Sequence, residues 1–362
     1  MKKFWAATVD AFSTFLKVPG TVTRKGAHVR DAIDLKRIMI IAVISVVPAA
    51  LFGMWNVGYQ HSLAIGDGRL QILANFWYGF LKVLPLYVVS YGVGLFIEFF
   101  CAGLRNEEVN EGYLVSGMLI PLIVPVTIPL WMLAIAVAFS VIFVKECFGG
   151  TGMNIWNPAL VTRAVLFFSY PSAMSGSQCW ISLKAGEQVV DGFTGATPLT
   201  LEGASAQYGT GVWDYIIGTV PGSVGETSVI AILLGAFILL WTGVASWRIM
   251  LSSVLGALLV GSIANIFGVG IPFWEHLIVG GFAFGTVFMA TDPVTSAQTE
   301  RGKVIYGVLV GATCVIVRLF NPGYAEGMML AILLGNTFAP LIDHYVVSGT
   351  MKRRAKAAAK TA

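Results

Sequence analysis

The feature that most constrains this chain is a succession of long apolar stretches that carry almost no charge. One begins after Arg37 as Ile-Met-Ile-Ile-Ala-Val-Ile-Ser-Val-Val-Pro-Ala-Ala-Leu-Phe-Gly-Met-Trp55, and others like it recur to the end of the sequence. A stretch of about 20 apolar residues matches the hydrocarbon thickness of a bilayer. Overall, 56% of residues are hydrophobic and 12% charged, where soluble chains carry about 25% charged residues. A 362-residue soluble protein would divide into roughly two domains. Repeated apolar runs point instead to one membrane domain.

Spans are predicted at 37–57, 76–100, 113–126, 129–147 and 157–170. After a polar segment, others follow at 228–246, 248–267, 274–291, 304–320 and 325–346. The third and fifth are too short to cross alone and read as half-helices or tilted pieces. The predicted fold class is all-α and integral to the membrane, with about ten transmembrane helices. The first 30 residues lack a short apolar core followed by small residues, so no cleavable signal peptide is expected.

Basic residues set the predicted sidedness. The arm at 1–36 and Arg37 hold eight Lys and Arg. The tail at 347–362 holds Lys352, Arg353, Arg354, Lys356 and Lys360, and Arg301 and Lys303 lie between the eighth and ninth spans. An even number of spans places all three groups in the cytoplasm. The segment 172–226 has one basic residue, Lys184, against five acids, and is expected to face outward. Arg318, near an outer end, departs from this pattern. The chain thus divides into a basic arm (1–36), a first half (37–171), an outward loop (172–226), a second half (227–346) and a basic tail (347–362).

The halves share a weak pattern. Asn154-Ile-Trp-Asn-Pro158-Ala-Leu160 parallels Asn336-Thr-Phe-Ala-Pro340-Leu-Ile342, and Gly117 precedes Pro125 by the same interval as Gly285 precedes Pro293. These pairs fall in spans three and eight and in spans five and ten, the order of a 5+5 repeat. An odd number of spans per half makes that repeat inverted, and broken helices in inverted repeats build midplane sites.

Three groups of residues carry potential chemistry. In Asp191-Gly-Phe-Thr-Gly-Ala-Thr197-Pro-Leu-Thr200, small residues such as Gly195 leave room for a bulky group to approach the Thr197 hydroxyl. Asp191 could accept a proton or hold a metal bound to a phosphate donor. The bland alternative is an exposed turn with Thr197 as a helix N-cap. In Phe148-Gly-Gly-Thr-Gly-Met-Asn154-Ile-Trp-Asn157-Pro158, glycines allow close approach and the Asn154 and Asn157 amides can donate and accept. The bland alternative is Asn157 capping a helix that starts at Pro158. The third group comprises acids in apolar surroundings, which tend to be paired, neutralised or functional. They are Glu98, Glu111, Glu146, Glu275, Asp292, Glu326 and Asp343. Glu98, Glu146 and Glu275 read as interfacial charges. Pro293 and Pro340 are expected to break helices beside Asp292 and Asp343 and free carbonyl oxygens, which with carboxylate and hydroxyl oxygens are the hard ligands that Na+ or another hard cation prefers. None of Cys101, Cys147, Cys179 and Cys314 forms a C-x-x-C pair, so neither an iron–sulfur cluster nor structural zinc is expected in this chain alone.

The Asp191–Thr197 stretch resembles the flavinylation motif of the membrane flavin subunits of Na+-translocating NADH:quinone reductases and of Rnf complexes. The resemblance extends through Pro19–Lys25, His28–Asp31, Asp34–Met39, Asn110–Gly117, Phe148–Gly152, Ala290–Pro293 and Asn321–Leu330. It implies FMN joined to Thr197 through a phosphoester by a dedicated flavin transferase, and a non-covalent riboflavin, assigned here to Asn154 and Asn157. It also implies Glu111, Asp292 and Asp343 as cation-uptake residues. The basic arm favours the quinone reductase's B-type flavin subunit over the shorter Rnf counterpart, although the arm is shorter than the family's, which weakens an arm-based quinone contact. The resemblance further implies a six-subunit complex in a bacterial inner membrane, quinone and Na+ as partners, cytoplasmic termini and no nucleic-acid binding. Two rival readings are the equivalent Rnf flavin subunit and a non-redox inverted-repeat transporter. The transporter leaves the Thr197 motif unexplained.

Overall fold

The computed structural model describes residues 9, 25–27, 35–67, 71–105, 112–176, 179–184, 187–190, 193, 195–200, 211–321, 324 and 326–361. Within them the chain is helical and contains no strand. Six helices are long and apolar enough to cross a bilayer. They are α1 (Leu35–Ala64), α2 (Ile72–Arg105), α4 with its continuation (Leu130–Phe148), α9 (Trp247–Ile266), α12 (Glu300–Phe320) and α13 (Met328–Thr361). Three shorter apolar helices lie between them: α3 (Tyr113–Ile123), α5 (Pro158–Ser169) and α8 (Val229–Trp241). The remaining pieces are α6 (Pro171–Met174), α7 (Val212–Ile217), α10 (Glu275–Ile278) and α11 (Phe282–Phe284).

The outer surface follows the logic of a lipid solvent. Trp77, Phe96, Leu233, Trp241, Leu259 and Ile266 all stand exposed, which is costly in water and natural in hydrocarbon. The hydrophobic effect therefore does little to hold the helices together, and close backbone approach must. A Cβ on Gly79 would lie 1.7 Å from the Met54 carbonyl oxygen, and one on Gly58 1.9 Å from that of Asn75. These two glycines let α1 and α2 touch backbone to backbone.

Several predicted boundaries move. Helix α1 continues to Ala64 because its polar residues find partners across the fold. Asn56 Nδ2 donates to the Val220 carbonyl at 2.9 Å, and Gln60 Nε2 to that of Thr219 at 2.8 Å. The predicted span 274–291 is not one helix. Gly280, at φ +68°, breaks it into α10 and α11, and α11 runs on as a π turn over Gly285–Met289. A second π turn, Val141–Lys145, ends α4. The tail predicted to follow the last span is instead the helical end of α13.

Part of the acidic segment is fastened to the helix ends. Tyr78 Oη donates to the Ser182 carbonyl, Thr127 Oγ1 to that of Cys179, and the Val190 amide to that of Ala64. The Glu187 carboxylate accepts from the Lys184 amide at 2.9 Å and pairs with His61 Nε2 at 2.7 Å. These hydrogen bonds hold its carboxyl below the usual carboxylate range. The anchor is therefore complete above about pH 4.3, the ordinary glutamate value. It is lost as pH falls through the lower value of the folded chain. Glu187→Gln should raise hydrogen exchange over residues 179–190 at neutral pH, and acidification below about pH 4 should do the same to the wild type. Unchanged exchange in the variant would mean that the other bonds suffice.

Candidate functional site

Two polar regions interrupt the apolar interior. The first is a cleft bordered by α1, α3, the ends of α4 and α8, the Asn154–Pro158 loop and the turn after Met289. Asn157 shapes it twice. Its Oδ1 caps α5 by accepting from the Ala159 and Leu160 amides, as the Asn-Pro pair predicts, while its Nδ2 donates to Asp292 Oδ2 at 3.2 Å. Asp292 is held in a turn, with Oδ1 accepting from the Val294 amide and Oδ2 from Thr295 Oγ1, each at 3.1 Å. Asn154 Nδ2 donates to the Trp156 carbonyl at 3.0 Å, and Trp156 Nε1 ties the loop to Thr337 on α13 at 2.9 Å.

The structure therefore brings Asn154, Asn157 and Asp292 into one cleft, although the sequence assigns them to a ring-bearing ligand and a cation separately. Asp343 is not among the lining residues. Both its oxygens face the start of α12, accepting from the Gln298 amide at 2.6 Å and the Thr299 amide at 3.0 Å. Glu111 lies outside the described residues.

Sequence reasoning missed Lys145. The π turn at the end of α4 places it on the cleft wall, 4% exposed, paired with Glu98 on α2. Its ammonium also lies 5.6 Å from the Tyr113 ring centre. Adjacent Lys145 and Glu146 do not pair with each other. Glu146 instead accepts from Arg105 Nη1 at 3.0 Å. Glu98, Glu146 and Glu275, read as interfacial charges, are all buried. The π turn that sets Lys145 on the cleft wall is a feature of the fold, and the sequence carries no local signal for it.

The second polar region lies around Thr197. Thr197 is buried rather than displayed on an exposed turn, and Gly195 is buried with it. The Thr197 side borders a small cavity whose wall includes Gly222, Glu226, Thr227 and Gly280. The small residues Gly222 and Gly280 and the acid Glu226 thus share one cavity wall with Thr197. Asp191 lies outside the described residues. Behind the cavity, Arg163 of α5 pairs with Glu326 at 3.0 Å.

Comparison with known proteins decides the lineage. The model of the NQR2, RnfD, RnfE family matches residues 22–352. The chain belongs to this family. Curated relatives from several bacteria are named as the B subunit of a Na(+)-translocating NADH-quinone reductase. The Chromohalobacter salexigens protein is 46% identical, with the match covering 98% of this chain and 92% of that protein. Those of Stutzerimonas stutzeri and Azotobacter vinelandii are 44% and 45% identical, each over 97% of this chain and 93% of theirs. The matched family region takes in both polar regions.

Proposed function

We propose that this chain is the B subunit of a Na+-translocating NADH:quinone reductase. It spans a bacterial inner membrane about ten times as a 5+5 inverted repeat, with both termini in the cytoplasm. It works in a six-subunit complex that moves electrons from NADH to quinone and exports Na+. The observation that carries this reading is the Asp191–Thr197 motif in a chain whose near-full-length relatives bear that subunit's name.

In this reading FMN is joined to Thr197 by a flavin transferase, and riboflavin occupies the cleft of Asn154 and Asn157. The flavins supply the electron-carrying chemistry, and the protein supplies position and electrostatics. Gly222 and Gly280 border the same cavity as Thr197. The Asn154 side chain and Lys145 line a wall that can meet the polar edge of a ring system. Asp292, carried by the turn after the Gly285–Met289 π turn, stands at the same cleft as a cation-uptake group, with Glu111 and Asp343 as the further acids of the path. Quinone is reduced near the cytoplasmic surface.

The deciding experiment is ultraviolet fluorescence of the purified chain on a denaturing gel, after production with the flavin transferase. The wild-type band should glow and Thr197→Ala should be dark. A dark wild-type band would sink the flavin reading and leave a membrane subunit without covalent FMN.

A further inference from the structure

We propose that Glu226 and Glu326, set behind the Thr197 cavity, form a binding site for one monovalent cation. Four segments meet there. Arg163 comes from α5, Glu226 from the stretch before α8, Gly281 from the break before α11, and Glu326 from the turn before α13. A Cβ placed on Gly281 would lie 3.2 Å from Glu226 Oε2 and 3.3 Å from Glu326 Oε2. Both carboxylates thus converge on one point, which the glycine keeps open.

The hydrogen bonding there is incomplete. Glu226 Oε1 accepts from the Ser223 amide at 2.9 Å, but Oε2 is buried and has no donor among the described residues. Tyr324, 5% exposed, stands in the field of Arg163, Glu326 and Glu226, and its Oη likewise has no partner among the described residues. A buried carboxylate oxygen without a donor is costly.

Charge selects the occupant. Arg163 Nη2 bonds Glu326 Oε2 at 3.0 Å and neutralises it. Arg318 is nearby, but its three nitrogens donate to the carbonyls of His276, Val279 and Glu326 at 2.7–3.2 Å. Glu226 is the carboxylate left without a cation at bonding distance among the described residues. One monovalent ion balances it, and a divalent ion leaves an excess positive charge. The ligands on offer are oxygens, which hard cations prefer. Glu226 also lines the Thr197 cavity, so an ion here has a route to the space beside that residue. The geometry stands without any functional reading, and only the choice of Na+ as the ion rests on the function proposed above.

The test is thermal unfolding of the purified full chain in detergent, with NaCl compared against choline chloride at equal ionic strength. A bound ion stabilises the folded state by mass action. The wild type should melt higher in NaCl, with the shift growing with Na+ concentration. Glu226→Gln removes the counter-charge and should abolish the Na+-specific shift. Gly281→Ala changes no charge, and at φ −73° the backbone accepts alanine. It inserts a methyl between the carboxylates and should raise half-saturating Na+ at least tenfold. If the Gln variant fails to fold, the Ala variant decides. A wild type indifferent to Na+, or an Ala variant that keeps the wild type's half-saturating Na+, overturns the site. A wild type whose melting responds to pH but not to Na+ makes the pair a proton site and overturns it too. Because the gel test of Thr197 requires no Na+, the two proposals fail separately.

Discussion

Gly311→Val should leave little folded chain in the membrane. Helices α9 and α12 form the most intimate pair in the bundle. A Cβ on Gly311 would lie 1.9 Å from the Ser253 carbonyl oxygen and 2.9 Å from the Ala257 amide nitrogen. A Cβ on Gly256 would in turn lie 2.5 Å from the Val308 carbonyl oxygen. These are backbone atoms of two long helices, so no side chain can swing aside. The introduced isopropyl group would force the axes apart and strip contact from the whole seam. Overpacking typically costs about 1–3 kcal/mol, and with no soft neighbour the expected loss is about 3 kcal/mol or more. The lipid offers no hydrophobic compensation, since the separated surfaces would meet hydrocarbon just as apolar. Gly92→Val is the control. Gly92 lies on α2 with nothing within 4 Å of its Cβ position, so its effect should stay within about 0.5 kcal/mol. Thermal unfolding in detergent separates the two, and equal melting would show that α9 and α12 part without cost.

The contrast between those glycines marks where the sequence is legible and where it is not. Both are glycines in apolar helices, and no local pattern tells the seam from the lipid face. The helices themselves are readable because hydrocarbon forces each crossing segment to satisfy its own backbone. That is why most predicted spans lie close to observed helices. The misjudged elements are those whose fate depends on a distant partner. Asn56 and Gln60 look like the end of a span, yet remain helical because the 219–220 carbonyls accept from them. The Asn157 cap is local and readable, whereas the Asn157–Asp292 bond spans 135 positions and is not. Asp292 and Asp343 look equivalent beside their prolines. Only the fold shows one lining a cleft and the other holding the start of α12.

Arg163→Ala should be among the most damaging single changes in the chain. Arg163 is 7% exposed on α5, and its Nη2 meets Glu326 at 3.0 Å across 163 positions of sequence. The pair joins a helix of the first half to the turn that starts the last helix. Removing the guanidinium leaves Glu326 beside Glu226 with no opposing charge bonded to either. Breaking a buried pair on one side costs about 3–5 kcal/mol, because the remaining charge is left unneutralised. Arg163→Lys should recover only part of that loss, since a point charge on a flexible stem does not replace the planar fork. The informative variant is Arg163→Met combined with Glu326→Gln, which removes both charges at similar volume. If the penalty is electrostatic, the double variant should melt closer to the wild type than Arg163→Ala does. Additive losses would mean instead that Arg163 acts through packing of its stem. The same double variant retains Glu226 and Gly281, so a Na+-specific melting shift that survives in it would place the cation on Glu226, with Arg163 serving to neutralise Glu326.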